Sequence, residues 1–305
     1  MTFTLAITGA NGFVGPHVAQ RARQAGMRVW ATARDEQPID RLAPFCDAYH
    51  RADLTQEWPF PSGADAIVHL AGLAAVGPSF THPQRYLDVN SSIMTVMCET
   101  LLERSENPRV VVVSSGAIYA PPALGRTVDE ACPLSAASPY AVAKILVETQ
   151  ADYYSDRGVD TVVARPFNHI GPGQSTGFLV PDLVEKIRNA ATGEPLQTGN
   201  LSTARDYTDV RDVAAAYLTL ATVASHRHRT YNVASGESHT GIEMLTAVAH
   251  ALSVTVPTTS VDAGLLRPGD VADVRGDASR LREEFGWAPT IDWRTSVSDY
   301  VDALG

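Results

Sequence analysis

Glycines at positions 9, 12 and 15, lodged between a short apolar run and an amphipathic stretch, constrain this chain more tightly than any other feature of its sequence. Residues 4–8 read as a strand. The segment Ile7-Thr8-Gly9-Ala10-Asn11-Gly12-Phe13-Val14-Gly15 leads from it into a helical pattern over 14–25, which Gly26 stops. Gly9 permits the tight turn, Gly12 lets backbone approach a pyrophosphate, and Gly15 brings helix close to strand. The helix N-terminus then offers free N–H groups to phosphate oxygens. The loop is therefore expected to bind a dinucleotide through Gly9, Asn11, Gly12, Phe13, Val14 and Gly15.

Downstream the theme repeats. Apolar runs over 28–33, 66–71, 110–114 and 161–164 lack polar alternation, and helical patterns occupy 85–104 and 140–157. Unalternating runs separated by helices mark parallel strands covered on both faces. The fold class expected is α/β, a Rossmann-type doubly wound parallel sheet with a smaller C-terminal substrate-binding domain. Its boundaries are read as 1–168 for the dinucleotide-binding domain, with a return segment near 208–238 that includes the strand-like 231–234, and 169–305 for the substrate domain. Gly171, Pro172, Gly173, Gly177 and Pro181 mark the change of character, and a last helix is expected to complete the smaller unit.

The formal net charge of −10 disfavours nucleic acid or an anionic membrane as partner, since both need a basic surface. An anionic small molecule held by a few arginines is compatible with it. The longest apolar stretch, 64–77, is interrupted by His69 and is too short to cross a bilayer. The first residues already read as a strand, so no signal peptide and a cytoplasmic location are expected. Cys46, Cys98 and Cys132 have neither a C-x-x-C spacing nor a Cys/His ligand pattern, and read as small buried hydrophobes with no metal.

The second strand ends Ala31-Thr32-Ala33-Arg34, where an acid would meet a free ribose 2′-OH. A guanidinium there suits a 2′-phosphate, so NADP(H) is favoured. NAD(H) stays open if Arg34 is solvated and Asp35 takes the acid's part. Asp53 and Leu54 fall where such folds contact adenine, or in a turn.

Tyr140 and Lys144 lie four apart on one helical face. An ammonium beside a phenol favours the phenolate, so the tyrosine pKa is expected to fall. Ser115 ends the strand over 110–113 just outside its carboxyl edge, where open sheets bind ligands. A hydroxyl there can hydrogen-bond a substrate carbonyl while Tyr140 delivers a proton. The plainer alternatives are a surface pair and a capping serine.

These residues, together with His69-Leu70-Ala71-Gly72, Ser114-Ser115-Gly116-Ala117-Ile118-Tyr119 and Arg165-Pro166-Phe167-Asn168, resemble the extended short-chain dehydrogenase/reductase family across essentially the whole chain. The resemblance implies an enzyme with Ser115, Tyr140 and Lys144 at its centre and Asn90 linked to the lysine through water. It also implies Leu70, Ala71, Gly72, Pro166, Tyr140 and Lys144 against the cofactor. Ser79, Ser115, Gly116, Tyr140, Asn168, Phe178, Leu179, Asn200, Arg205, Arg267 and Asp270 would face a nucleotide sugar, with Asn168, Arg205 and Arg267 on its diphosphate.

Within the family, Asn168-His169-Ile170-Gly171-Pro172-Gly173-Gln174, Gly199-Asn200-Leu201 and the run 205–212 are similar to the branch that reduces GDP-4-keto-6-deoxymannose. The 4,6-dehydratases of this family place an acid just after the catalytic Ser/Thr, and the combined epimerase-reductases place a cysteine two residues beyond it. Here Gly116 and Ala117 follow Ser115, and neither moves a proton. The expectation is NAD(P)H-dependent reduction of the C4 ketone of a nucleotide-linked 4-keto-6-deoxyhexose, GDP favoured. The alternatives are a dTDP- or UDP-sugar 4-ketoreductase, a 4-epimerase, and, remotely, a catalytically silent cofactor-sensing regulator. A homodimer through 85–104 and 140–157 is implied by the family alone.

Overall fold

Each side chain of Thr4–Thr8, the first strand (β1), is buried, because the strand lies between helices on both faces. The structure is a computed structural model that describes residues 2–123, 125–190, 194–265 and 271–305. After β1 come α1 (Gly15–Gln24), β2 (Arg28–Ala33), β3 (Ala48–Arg51), β4 (Ala66–His69), α2 (Val76–Thr81), α3 (Pro83–Glu103), β5 (Arg109–Val113), α4 (Pro139–Asp156) and β6 (Thr161–Pro166). The chain continues through β7 (Asn168–Ile170), α5 (Leu179–Asn189), β8 (Leu196–Thr198), β9 (Ala204–Asp209), α6 (Val210–Thr222) and β10 (Thr230–Val233). It ends with β11 (Ser238–Thr240), α7 (Gly241–Ala251), β12 (Thr259–Val261), β13 (Asp273–Val274), α8 (Ser279–Phe285) and α9 (Trp293–Asp302).

The central sheet has seven parallel strands in the order β10-β6-β5-β4-β1-β2-β3. Strand alternation sorts its side chains into two cores. Leu5 and Ile7 of β1 join Val18, Ala19 and Ala22 of α1 and Val213, Tyr217 and Leu220 of α6 on one face. Ala6 and Ile67 join Met94, Met97, Cys98 and Leu101 of α3 and Val147, Ala151 and Tyr154 of α4 on the other. The α3 residues follow the i, i+3, i+4, i+7 rhythm of a helix laid on a sheet.

The strand order reverses between β1 and β4, which opens a crevice at their carboxyl ends. The glycine loop sits there. Gly9 has φ of +64°, and a Cβ on it would lie 2.8 Å from the Ala71 backbone. A Cβ on Gly15 would strike the Ala10 carbonyl. Side chains at either place would wedge the first turn away from the sheet.

In the smaller domain β9 is central, flanked by antiparallel β11 and by parallel β7 and β13. Its core joins Val180, Leu183 and Val184 of α5, Met244, Leu245 and Val248 of α7 and Val297, Tyr300 and Val301 of α9. The chain leaves this unit through α6 and β10, which complete the large sheet. It returns once more, because Ala278, Leu281 and Trp287 pack into the α1/α6 core. That return was not anticipated, since its apolar residues are too sparse to announce a strand or long helix. Strand β3 was not anticipated either: its Ala-Tyr-His-Arg side chains are half-buried or exposed, and as an edge strand it is held by backbone pairing with β2.

Among the cysteines only Cys98 is buried. Cys46 and Cys132 are half-buried, a correction to the reading of three interior hydrophobes. Among the described residues no helix is long and apolar enough to cross a membrane.

Candidate active site

Strand β5 delivers the first functional group. Past Val113 the chain turns at Ser115, whose extended backbone (φ −161°, ψ 145°) precedes a single 3-10 turn over Gly116–Ile118. The Ser115 Oγ accepts from Ala117 N (3.1 Å), so it caps that turn, as the plainer reading held, and also hydrogen-bonds the Tyr140 phenol. Both roles belong to the same hydroxyl. Tyr140 stands in the first turn of α4, which Ser138 caps by accepting from Ala141 N (3.1 Å) and Pro139 begins at the position where its missing N–H costs nothing. It forms a small buried cluster with Tyr86 and Ala143, against which Leu73, Val76 and Leu87 pack.

One turn further, half-buried Lys144 donates from Nζ to the Val113 carbonyl (2.8 Å), with its ammonium 6.0 Å from the centre of the Tyr140 ring. Helix register and the end of β5 thus bring Ser115, Tyr140 and Lys144 together. The expected acidification of the phenol is not found. Loss of water around Tyr140 raises its pKa above the ordinary value, and the Ser115 hydrogen bond opposes that rise. Desolvation also draws Lys144 down to about 8, with Glu148 partly offsetting it. The ammonium spends its contact on a carbonyl, which is why it does not act on the phenol as the helical spacing alone suggested.

The rear wall of the crevice is β4. Asn90 on α3 is 3% exposed, and its amide accepts from Leu73 N (2.7 Å) and donates to Leu73 O (3.3 Å). It thereby fixes the strand exit at Leu70, Ala71 and Gly72. Sequence reasoning missed the function of His69, which is buried with Nδ1 2.8 Å from Thr8 Oγ1. Desolvation, seconded by the Lys144 charge, lowers its pKa to about 3 and keeps the imidazole neutral. Thr8 Oγ1 also accepts from Ala71 N (3.1 Å), tying β1 to the β4 exit.

The glycine loop is anchored on both sides. Asn11 Nδ2 donates to Asp35 Oδ2 (2.8 Å), Gln37 O (3.0 Å) and Tyr49 OH (3.2 Å), while its Oδ1 accepts from Ile39 N (3.1 Å). Phe13 stacks on His169 at 5.7 Å, and His17 Nε2 lies 2.9 Å from Pro172 O. Arg41 donates to Pro172 O (3.2 Å) and Gly173 O (3.1 Å). The ties of Phe13, His17 and Arg41 went unseen because they join segments more than a hundred residues apart. Val14 starts α1 without a side-chain cap, so first-turn N–H groups have no side-chain acceptor. A loop with glycine at each close approach and uncapped donors at a helix start fits a pyrophosphate. Asp35 is taken by Asn11, whereas exposed Arg34 has no hydrogen bond or ion pair with a described residue. Pro166 ends β6, buried beside this crevice.

Other expectations land differently. Asp53 accepts from Thr55 N (3.0 Å) and Thr55 Oγ1 (2.7 Å), a turn cap, and Leu54 is packed in the α3/α4 core. Ser79 is fully buried, its hydroxyl donating to Val76 O (2.6 Å) inside α2, which leaves no donor for a substrate. Asn200 Oδ1 accepts from Ser202 N and Oγ (3.0 and 2.6 Å), so its carbonyl holds a turn. Asn168 donates to Asp206 O (3.3 Å), joining β7 to β9. Arg205 donates to Val271 O (2.7 Å) beside them. Phe178 is exposed at the N-cap of α5, with Leu179 the first residue of that helix. Arg267 and Asp270 lie outside the described residues. A Cβ on Gly116 would meet the Phe167 ring at 2.9 Å, so a side chain there would have to displace that ring, and Ala117 presents only a methyl group.

Residues 5–234 match the family described as the NAD dependent epimerase/dehydratase family. The chain is 32% identical to GDP-6-deoxy-D-mannose reductase from Pseudomonas aeruginosa, over 97% of this chain and 95% of that protein. Among solved structures, RMD from Pseudomonas aeruginosa complexed with NADPH superposes with a TM-score of 0.84 at 28% identity, covering 99% of this chain and 98% of that one. The Thermus thermophilus UDP-glucose 4-epimerase complex with NAD gives a TM-score of 0.84 at 25% identity, covering 99% of each chain.

Proposed function

The chain belongs to the NAD dependent epimerase/dehydratase family, and from that membership and the geometry of its crevice we propose that it reduces the C4 ketone of a nucleotide-linked 4-keto-6-deoxyhexose, GDP-4-keto-6-deoxymannose in the first place, using NADPH. One observation carries the choice of reaction. Ser115, Tyr140 and Lys144 form a complete proton-handling set, while Gly116 and Ala117 leave no acid or thiol after the serine for elimination or for epimerisation at a neighbouring carbon.

Bound NADPH supplies the hydride to C4. Ser115 orients the carbonyl by donating to its oxygen, and Tyr140 gives its proton to the alkoxide as it forms. Burial keeps the phenol protonated at neutral pH, the form a reduction requires. Lys144 would hold the nicotinamide ribose and, drawn off the Val113 carbonyl, place its charge beside the phenol. Arg205 suits a diphosphate by its charge and its place on β9.

Arg34 supports NADPH over NADH, since it stands exposed at the end of β2 while Asp35 is engaged by Asn11. Arg34→Ala is expected to weaken NADPH by about 10- to 100-fold and leave NADH nearly unchanged, as read by nucleotide fluorescence titration. Equal losses for both would remove Arg34 from the 2′-phosphate.

A 4-epimerase is the second reading, favoured by the likeness to UDP-glucose 4-epimerase from Thermus thermophilus. Incubation with GDP-, dTDP- and UDP-linked 4-keto-6-deoxysugars and NADPH, and separately with UDP-glucose and NAD, with the products identified by NMR, decides between them. Stoichiometric NADPH oxidation supports reduction, and sugar interconversion without it supports epimerisation.

Two chains are expected to pair through α3 and α4. Val142, Leu146 and Tyr153 leave 37%, 37% and 56% of their surface exposed along one stripe of α4. Light scattering should give twice the chain mass, and a mass of one chain would refute the pairing.

A further inference from the structure

Glu148 lies one turn beyond Lys144 on the same face of α4, at the i, i+4 spacing that brings two side chains side by side. Both of its oxygens are taken by Arg165 of β6, which donates from Nε (2.9 Å) and Nη2 (2.6 Å). The pair is buried, with 8% and 9% of its side chains exposed. Arg165 also donates from Nη1 to Tyr119 OH (2.8 Å), and Tyr119 donates onward to Asn232 Oδ1 (2.7 Å). A buried ion pair is an expensive way to fill a core, since apolar residues of similar volume commonly stabilise as well or better. Its place beside the cleft lysine gives it another use.

We propose that Glu148 is a positioning residue for the reaction: clamped by Arg165, its carboxylate holds the Lys144 side chain in its cationic form. The clamp explains why Glu148 acts at a distance of one helical turn. With its oxygens committed to Arg165 it cannot seize the ammonium, which remains free to leave the Val113 carbonyl toward the crevice. The groups around Lys144 leave few other sources of negative charge. His69 of β4 is neutral and Tyr140 protonated; Tyr86 of α3 and Tyr217 of α6 stand beyond the phenol, and Arg165 stands behind Glu148. Glu148 is the charge that opposes the loss of water around the ammonium.

The inference rests on Lys144 as the amine of the reacting centre, and its test needs neither cofactor nor substrate. Lys144 and Lys186 are the two lysines of the sequence, so lysine labelled with ¹³C at Cε gives two signals, assigned with Lys186→Arg. In the E148Q/R165Q double variant, where the pair is removed as a unit, the titration midpoint of Lys144 should fall by about one pH unit or more. Glu148→Asp, which keeps both charges and withdraws the carboxylate by one methylene, should give a smaller fall in the same direction. A midpoint unmoved in either variant overturns the proposal, even if melting temperature drops, because a merely structural pair would lower stability and leave the titration alone. Failure to turn over any keto sugar would count against the proposed reaction and not against this charge coupling.

Discussion

Tyr140→Phe is expected to lose about 10²–10⁴ of turnover while binding NADPH almost as tightly as the parent protein. The substitution removes one oxygen and keeps the ring in its buried cluster with Tyr86 and Ala143, so the packing survives. What disappears is the acid that completes the new hydroxyl group, together with the hydrogen bond that Ser115 shares with it. Single-turnover NADPH oxidation in the presence of a 4-keto-6-deoxysugar nucleotide reads the loss, and fluorescence titration of the nucleotide reads the retained affinity. Retained turnover would remove the phenol from the chemistry. An equal loss of nucleotide affinity would make it a binding group.

Arg165→Leu should cost about 3–5 kcal/mol of stability, the second large effect, measured by denaturant unfolding. The leucine leaves Glu148 buried without its guanidinium, and Tyr119 without a donor to its hydroxyl oxygen. The damage comes from the orphaned charge more than from the missing contact, so the E148Q/R165Q double variant should recover most of the loss. A single variant as stable as the parent would mean that Glu148 had taken up a proton or water at little cost.

The sequence made some parts legible because local chemistry decides them. The turn after β1 needs glycine at two close backbone approaches, and the flat apolar runs of β1, β4 and β6 need helices on both faces; both can be read without knowing what lies elsewhere. The Tyr140–Lys144 register is likewise a property of one helix.

What stayed hidden depends on partners distant in sequence. The Lys144 ammonium faces a carbonyl of β5, thirty-one residues earlier, so spacing along α4 could not foretell its direction. Arg165 sits inside an apolar strand, and its signal was there to be used, since a charge in such a run needs a counter-charge. Its partner had to come from another element. Asp53, Ser79 and Asn200 share a habit that residue type alone does not reveal: each short polar side chain binds a nearby backbone or hydroxyl group.

The interlacing of the two cores limits how this chain can be cut and recombined. Ending it at residue 168 would strip β10 from the seven-stranded sheet, bare the edge of β6, and uncover the face that α6, Leu281 and Trp287 protect. A single crossover therefore cannot hand the smaller half to another protein as a cassette. Swapping it requires junctions near 167, 209, 234, 276 and 290, each falling where the polypeptide passes from one core to the other.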